Sequence, residues 1–173
     1  MVNKNEKEIY FKYADEMFSL CYRYIRDIEI AEEILNNGFI KVFKNRKNFK
    51  PQGENSLKHW MKKIMINECL MYLRKKKKIR TEWIENINEN QIRDFNNQFI
   101  VTNKTIEKDE IDELIQKLPV GYRTIFNLYA IDGYSHKEIA KKLKINESTS
   151  RSQLTMARKK LKEMLIKKGL IYE

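Results

Sequence analysis

Apolar residues recur at three- and four-residue spacing in two separate stretches of this chain, with an acidic, Asn-rich stretch between them that has no sustained period. That pattern constrains the fold more than any other feature, because a period near 3.6 is the mark of helices that bury one face. Tyr10, Tyr13, Ala14, Met17, Cys21, Tyr24 and Ile28 form one such row. Ala31, Leu35, Phe39, Val42 and Phe43 form the next. After a break at Pro51 and Gly53, with Ser56 as the expected N-cap, Leu57, Trp60, Met61, Ile64, Met65, Cys69 and Tyr72 cover more than one helix face, which predicts a central helix. Only 5 Gly and 2 Pro occur in 173 residues, too few for the many turns of a sandwich or barrel. The expectation is an all-α protein of two helical domains, 1–80 and 109–173, joined by a flexible acidic linker over 81–108 with short helical turns at most.

Charge says what the two halves meet. The chain carries a formal +11. Between Lys41 and Arg80 there are 14 Lys or Arg against 2 acids, and between Tyr134 and Lys168 there are 11 against 3. From Thr81 to Glu113 the balance reverses, with 3 basic residues and 9 acidic. Two basic surfaces flanking an acidic spacer imply a polyanionic partner that both halves touch. The run Leu73-Arg74-Lys75-Lys76-Lys77-Lys78-Ile79-Arg80 would repel itself unless a polyanion lay against it.

The second half holds the sharper motif. Ser135-His136-Lys137-Glu138 is a capping box, in which the Ser hydroxyl accepts from the Glu138 amide and the Glu carboxylate accepts from the Ser135 amide. Ile139, Ala140 and Leu143 give the helix that follows an apolar stripe. A second helix opens at Asn146, only Lys144 and Ile145 further on, with Leu154, Ala157 and Leu161 facing inward. Two short helices joined so tightly form a helix-turn-helix, and the second helix suits a major groove. Ser148, Thr149, Arg151, Ser152, Gln153 and Thr155 offer groups that pair with base edges or phosphates, and Arg158, Lys159 and Lys160 would follow the backbone.

Catalysis finds no support. Asp109, Glu110, Asp112 and Glu113 stand at the entry of an amphipathic helix, where negative charge favours the N-terminal dipole end. His59 and His136 have no acid or Cys at ligand spacing, and there is no Gly-rich phosphate loop, so no metal, cofactor or small-molecule substrate is expected. Cys21 and Cys69 lie 48 positions apart in apolar surroundings, which gives neither a disulfide framework nor a zinc site and fits a reduced, cytoplasmic compartment. The first residues lack the apolar core of a signal peptide.

From about Tyr10 to Leu165 the chain resembles the extracytoplasmic-function class of the sigma-70 family, the small two-domain sigma factors of bacterial RNA polymerase. The resemblance to the family's region 4 rests on Leu118 to Phe126, Asp132 to Ala140, Thr149 to Leu154, and Ala157-Arg158. For region 2 it rests on Tyr13-Ala14-Asp15, Ala31 to Ile34, Phe39 to Phe43, Trp60, Ile64, Asn67 and Tyr72 to Lys75.

The resemblance implies that the first domain docks on core RNA polymerase through Glu33, Asn36, Asn37 and Ile40. It implies that Lys58, His59, Lys62, Lys63, Asn67, Arg74 and Lys75 hold the melted promoter −10 element, with the loop from Phe49 to Ser56 placed like the family's base-capturing loop. It implies that Ser148, Thr149, Arg151, Ser152, Gln153, Thr155, Arg158 and Lys159 read the −35 element, and that a membrane-anchored anti-sigma factor holds the protein inactive. Asn36 and Asn37 stand where the family has Gln and an acid, Met71 where an acid is common, and Lys144 where the turn usually has Gly. The other reading open to the sequence is a stand-alone helix-turn-helix regulator whose first bundle serves dimerisation or ligand sensing.

Overall fold

The computed structural model describes residues 4–53, 55–76, 100–101 and 108–172. The chain divides into two compact units, Met1–Lys76 and Lys77–Glu173. The first is a bundle of three helices, α1 (Lys4–Ile25), α2 (Ile28–Asn45) and α3 (Ser56–Lys75). A short 3₁₀ turn, Arg46–Asn48, follows α2. Met17, Cys21 and Tyr24 of the row read from the sequence are buried, with Ile9 and Leu20 beside them, whereas Tyr10, Tyr13 and Ala14 are half-buried and Ile28 is exposed at the start of α2. The turn into α2 is tight. Arg26 takes a left-handed φ of 60°, and the Asp27 carboxylate accepts from the Ile30 amide at 3.1 Å, satisfying one of the free donors at the start of α2.

Where α2 crosses α3 the approach is close. A Cβ on Gly38 would collide with the Sδ of Met65, so a helical Asn-Gly that reads like a turn is retained for packing. At the same crossing Lys41 donates to Glu68 at 2.6 Å, and Glu68 is 8% exposed. A charge-assisted bond of that length keeps a carboxylate inside the bundle that would otherwise cost several kcal/mol to leave unpaired. α3 packs against both other helices and buries Met61, Met65, Ile66, Cys69, Leu70 and Leu73, while Leu57, Trp60, Ile64 and Tyr72 are only half-buried, so it is one of three equivalent helices and not a central one. Ser56 is not its cap. Asn55 holds that position, while the Ser56 hydroxyl donates to the Gly53 carbonyl at 2.8 Å and accepts from the Gln52 amide at 3.1 Å, tying the preceding loop together.

The second unit contains α4 (Lys108–Lys117), α5 (Val120–Phe126), a π-helical turn (Asn127–Ile131), α6 (His136–Leu143) and α7 (Glu147–Lys167). Leu114, Ile115, Leu118 and Tyr122 pack with Ala157 and Leu161 of α7 to form its core. Arg123 is 3% exposed and is used internally, since its guanidinium donates to the carbonyls of Gln116 and Leu118 at 3.3 and 3.0 Å, where α4 has run out of amide partners. The acids Asp109 and Glu110 sit in the first turn of α4, at the positive end of its dipole.

One expectation needs correction. Ile100 and Val101, within the segment read as linker, pair antiparallel with Tyr172 and Ile171, making a short two-strand ladder of β1 (Ile100–Val101) and β2 (Ile171–Tyr172). The sequence hides it because two β-branched residues are too few to establish a period of two. Most of the expected linker, and Lys77 to Arg80 of the basic run, lie outside the described residues.

Candidate nucleic-acid interface

The helix-turn-helix is built from its caps outward. The Glu138 amide donates to the Ser135 hydroxyl at 3.3 Å, and the Ser135 amide donates to the Glu138 carboxylate at 2.9 Å, so both halves of the capping box are present. Lys144 closes α6 in the left-handed conformation, φ 58° and ψ 48°, the geometry that favours Gly at such a turn. α6 buries Ile139, Ala140 and Leu143, and α7 buries Leu154, Ala157 and Leu161.

α7 divides its polar residues in a way the sequence did not show. Ser148, Arg151 and Arg158 are exposed, and Thr149, Thr155 and Lys159 are half-buried. Arg151 reaches Glu147 at 3.2 Å, and the Thr155 hydroxyl donates to the Arg151 carbonyl at 3.1 Å. Ser152 and Gln153, expected on the DNA face, are buried, at 8% and 1% exposure. The Ser152 hydroxyl donates to the carbonyls of Ser148 and Thr149 at 3.0 and 3.1 Å, and the Gln153 side chain lies inside the fold. Polar composition suggested a groove face for both, but their angular position on α7 turns them towards the helices it packs on.

A small polar and aromatic group joins three elements of this unit, and no local pattern in the sequence marks it. His136 Nδ1 lies 2.9 Å from the Ser150 hydroxyl in a hydrogen bond between α6 and α7. Its ring stacks on Tyr129 of the π-turn at 4.5 Å, and the Arg158 guanidinium sits over the Tyr129 ring at 5.8 Å. Burial, with the charges of Arg151 and Arg158, holds the His136 imidazole below its ordinary value of 6.5. Burial beside Asp132 and Glu138 pushes the Tyr134 phenol up.

In the first unit, α3 sorts the cations expected at the −10 element into two sets. His59, Lys63, Asn67, Arg74 and Lys75 are exposed, and the first three succeed one another at four-residue spacing along one side of the helix. Among the described residues, none of Lys63, Arg74 and Lys75 is ion-paired. Lys58 and Lys62 differ, because both donate to the same Glu16 oxygen of α1, each at 2.9 Å. Burial alone would raise the Glu16 carboxyl, but the hydrogen bonds from Lys58 and Lys62 outweigh it and hold the group below its ordinary value. Those two lysines therefore differ from Lys63, Arg74 and Lys75 in having an acidic partner within the bundle. An acid on another helix, 42 positions from the nearer lysine, gives no signal in a linear reading.

Beside the row, Phe49 stacks on Trp60 at 4.8 Å, with His59 on the next position of the helix and its Nδ1 2.9 Å from the Asn55 carbonyl. Trp60 is half-buried, joining the bundle and the Phe49 to Ser56 loop at once. On α2, Glu33, Asn36, Asn37 and Ile40 are all exposed at i, i+3, i+4 and i+7, which puts them on one face, and Ile40 is 63% exposed. Among the described residues no three His, Cys, Asp or Glu are placed to share a metal ion, and no helix is long and apolar enough to cross a membrane.

Comparison with known proteins places these helices in a family. A model of sigma-70 region 2 matches residues 9–79, and a model of sigma-70 region 4 matches residues 108–161, one on each unit. The chain belongs to the sigma-70 family. Among curated relatives it is similar to the ECF RNA polymerase sigma factor SigE of Mycolicibacterium smegmatis, 27% identical over 161 residues, which are 92% of this chain and 61% of that protein. It is similar to the ECF RNA polymerase sigma factors SigM and SigW of Bacillus subtilis, at 24% and 28% identity, covering 91% and 88% of this chain and 93% and 84% of theirs. All three relatives are ECF RNA polymerase sigma factors by name. The fold matches that of the sigma factor RpoE from Bartonella quintana, solved with the anti-sigma factor NepR, at a TM-score of 0.54 and 18% identity over 94% of this chain and 98% of that one.

Proposed function

We propose that this sigma-70 family chain binds bacterial core RNA polymerase in the cytoplasm and directs it to specific promoters, with the first unit docking on the polymerase and opening the −10 element and the second unit reading the −35 element. The observation that carries this reading is that the two family matches fall separately on the two units, and each unit presents its own row of exposed basic and polar side chains on one helix. Ser148, Thr149, Arg151, Thr155, Arg158 and Lys159 of α7 supply base-edge and phosphate contacts. His59, Lys63, Asn67, Arg74 and Lys75 of α3 hold the displaced strand through phosphates and polar contacts. The α2 face of Glu33, Asn36, Asn37 and Ile40 meets the polymerase, with Ile40 as its apolar anchor. The chain contributes binding energy alone, and the polymerase performs the synthesis.

The stand-alone regulator is not favoured, since a region 2 match over residues 9–79 gives the first bundle an occupation other than dimerisation. An anti-sigma factor belongs to the reading as the partner that keeps the protein silent, and the solved complex of RpoE with NepR supports that class of partner. The test is transcription in a reconstituted mixture of this chain, core polymerase and a library of upstream fragments. Defined transcripts that vanish without the chain are expected. Transcription no more selective than that of core polymerase alone would refute the reading.

A further inference from the structure

We infer that Glu16 sets how strictly this protein distinguishes its promoter strand from other DNA, by withholding Lys58 and Lys62 from phosphate contact. The inference rests on reading α3 as the strand-binding helix. It begins from one carboxylate oxygen on α1 that takes two ammonium groups of α3 at 2.9 Å each, so a one-turn pair of lysines is held against a neighbouring helix instead of standing free. The same helix carries Lys63, Arg74 and Lys75, none of them ion-paired among the described residues. α3 thus holds two classes of cation, one exposed and one neutralised in part.

Neutralisation has a consequence for selectivity. Contacts to phosphate carry little sequence information and strengthen binding to every strand alike, so each free lysine added to the surface raises affinity for the wrong sequences as much as for the right one. With Glu16 in place, the strand meets a row containing Asn67 and His59, whose amide and ring groups recognise shape and base, beside a limited number of charges. Without it, two more cations become available within a helical turn of that row. Folding is not at stake, because the Glu16 side chain is 40% exposed and both lysine side chains 34%, and ion pairs this close to water contribute little to stability.

The experiment uses the full chain and a fluorescent single-stranded oligonucleotide of mixed sequence, with anisotropy titrations over a series of salt concentrations. Glu16→Gln keeps the shape and removes the charge. It should tighten binding at low salt about threefold or more, and steepen the log–log salt dependence by up to about 1.4, the value for two further phosphates on a single strand. Lys58→Gln with Lys62→Gln added to Glu16→Gln should cancel the gain. A gain that survives the loss of both lysines would overturn the inference, as would an unchanged slope in Glu16→Gln with native melting behaviour. Lys63→Ala with Arg74→Ala tests the underlying reading separately. If that pair leaves single-strand binding untouched, α3 is not the strand-binding helix, whatever Glu16 does.

Discussion

Two helices carry the chain's nucleic-acid groups, α3 in the first unit and α7 in the second, and they depart from their sequence readings in opposite ways. On α3 every expected contact residue is charged or polar and partly or fully exposed, yet two of the lysines are taken up by Glu16 on another helix. On α7 the charged residues stand out from the fold, while two short polar residues, Ser152 and Gln153, go inside. For a long cation, burial of the head is so costly that exposure is nearly assured, and only pairing remains open. For a small hydroxyl such as that of Ser152, burial costs little once a backbone carbonyl accepts the proton, so polarity alone does not decide the face.

The comparison breaks first at the packing of α6 on α7. Ile139→Ala removes a fully buried side chain from the helix that supports α7, and about 2 to 5 kcal/mol of stability should go with it. Thermal unfolding of the full chain should show the loss, and duplex binding should fall with it. Arg151→Ala comes next and separates binding from folding. If the guanidinium reads a base, upstream-element affinity should drop by about 1 to 3 kcal/mol, preference should relax at one position, and melting should stay as it was. An equal loss on all sequences would reassign Arg151 to phosphate.

Lys144→Gly should stabilise the second unit by about 0.5 to 1 kcal/mol, since relief of the left-handed strain at φ 58° outweighs the added freedom of the unfolded chain. Denaturant titration of both proteins measures it. The His136 imidazole, held below 6.5, makes the second unit lose stability as pH falls beneath that value, because the unfolded chain takes up the proton more readily than the folded one. The contribution is complete above the unfolded value and disappears as pH passes down through the folded one. Melting between neutral pH and about 5 should show this slope, and His136→Gln should flatten it. The smallest effect expected is that of Gln153→Met. Removing a buried amide oxygen that lacks a partner should cost less than about 0.5 kcal/mol and leave DNA affinity in place, against the sequence expectation that Gln153 touches DNA.

The helix-turn-helix was legible because its signals are local. The capping box at Ser135 and Glu138, and the two-residue gap of Lys144 and Ile145, depend on neighbours in the chain and came out as read. The Lys144 conformation could be anticipated from the turn alone. What escaped was non-local. Glu16 meets Lys58 and Lys62 only after α1 and α3 pack, Cys69 finds a hydrogen-bonding partner in Cys21 from 48 positions away, and His136 meets Tyr129 and Ser150 across three elements. That partner and burial raise the Cys69 thiol well above its ordinary value, which disfavours its reactive thiolate. Gly38 shows the same limit, since its reason is a methionine on another helix.

Every other part of the proposed function depends on the first unit joining this chain to core RNA polymerase. The most direct measurement is gel filtration of the purified chain with bacterial core polymerase at low and at moderate salt. The account predicts co-elution at both, weakened when Ile40, the exposed apolar group of the α2 face, is replaced by Asp. If the chain elutes apart from the polymerase at both salts while still binding duplex DNA, the claim fails, and Asn36 and Asn37 mark the face that no longer docks.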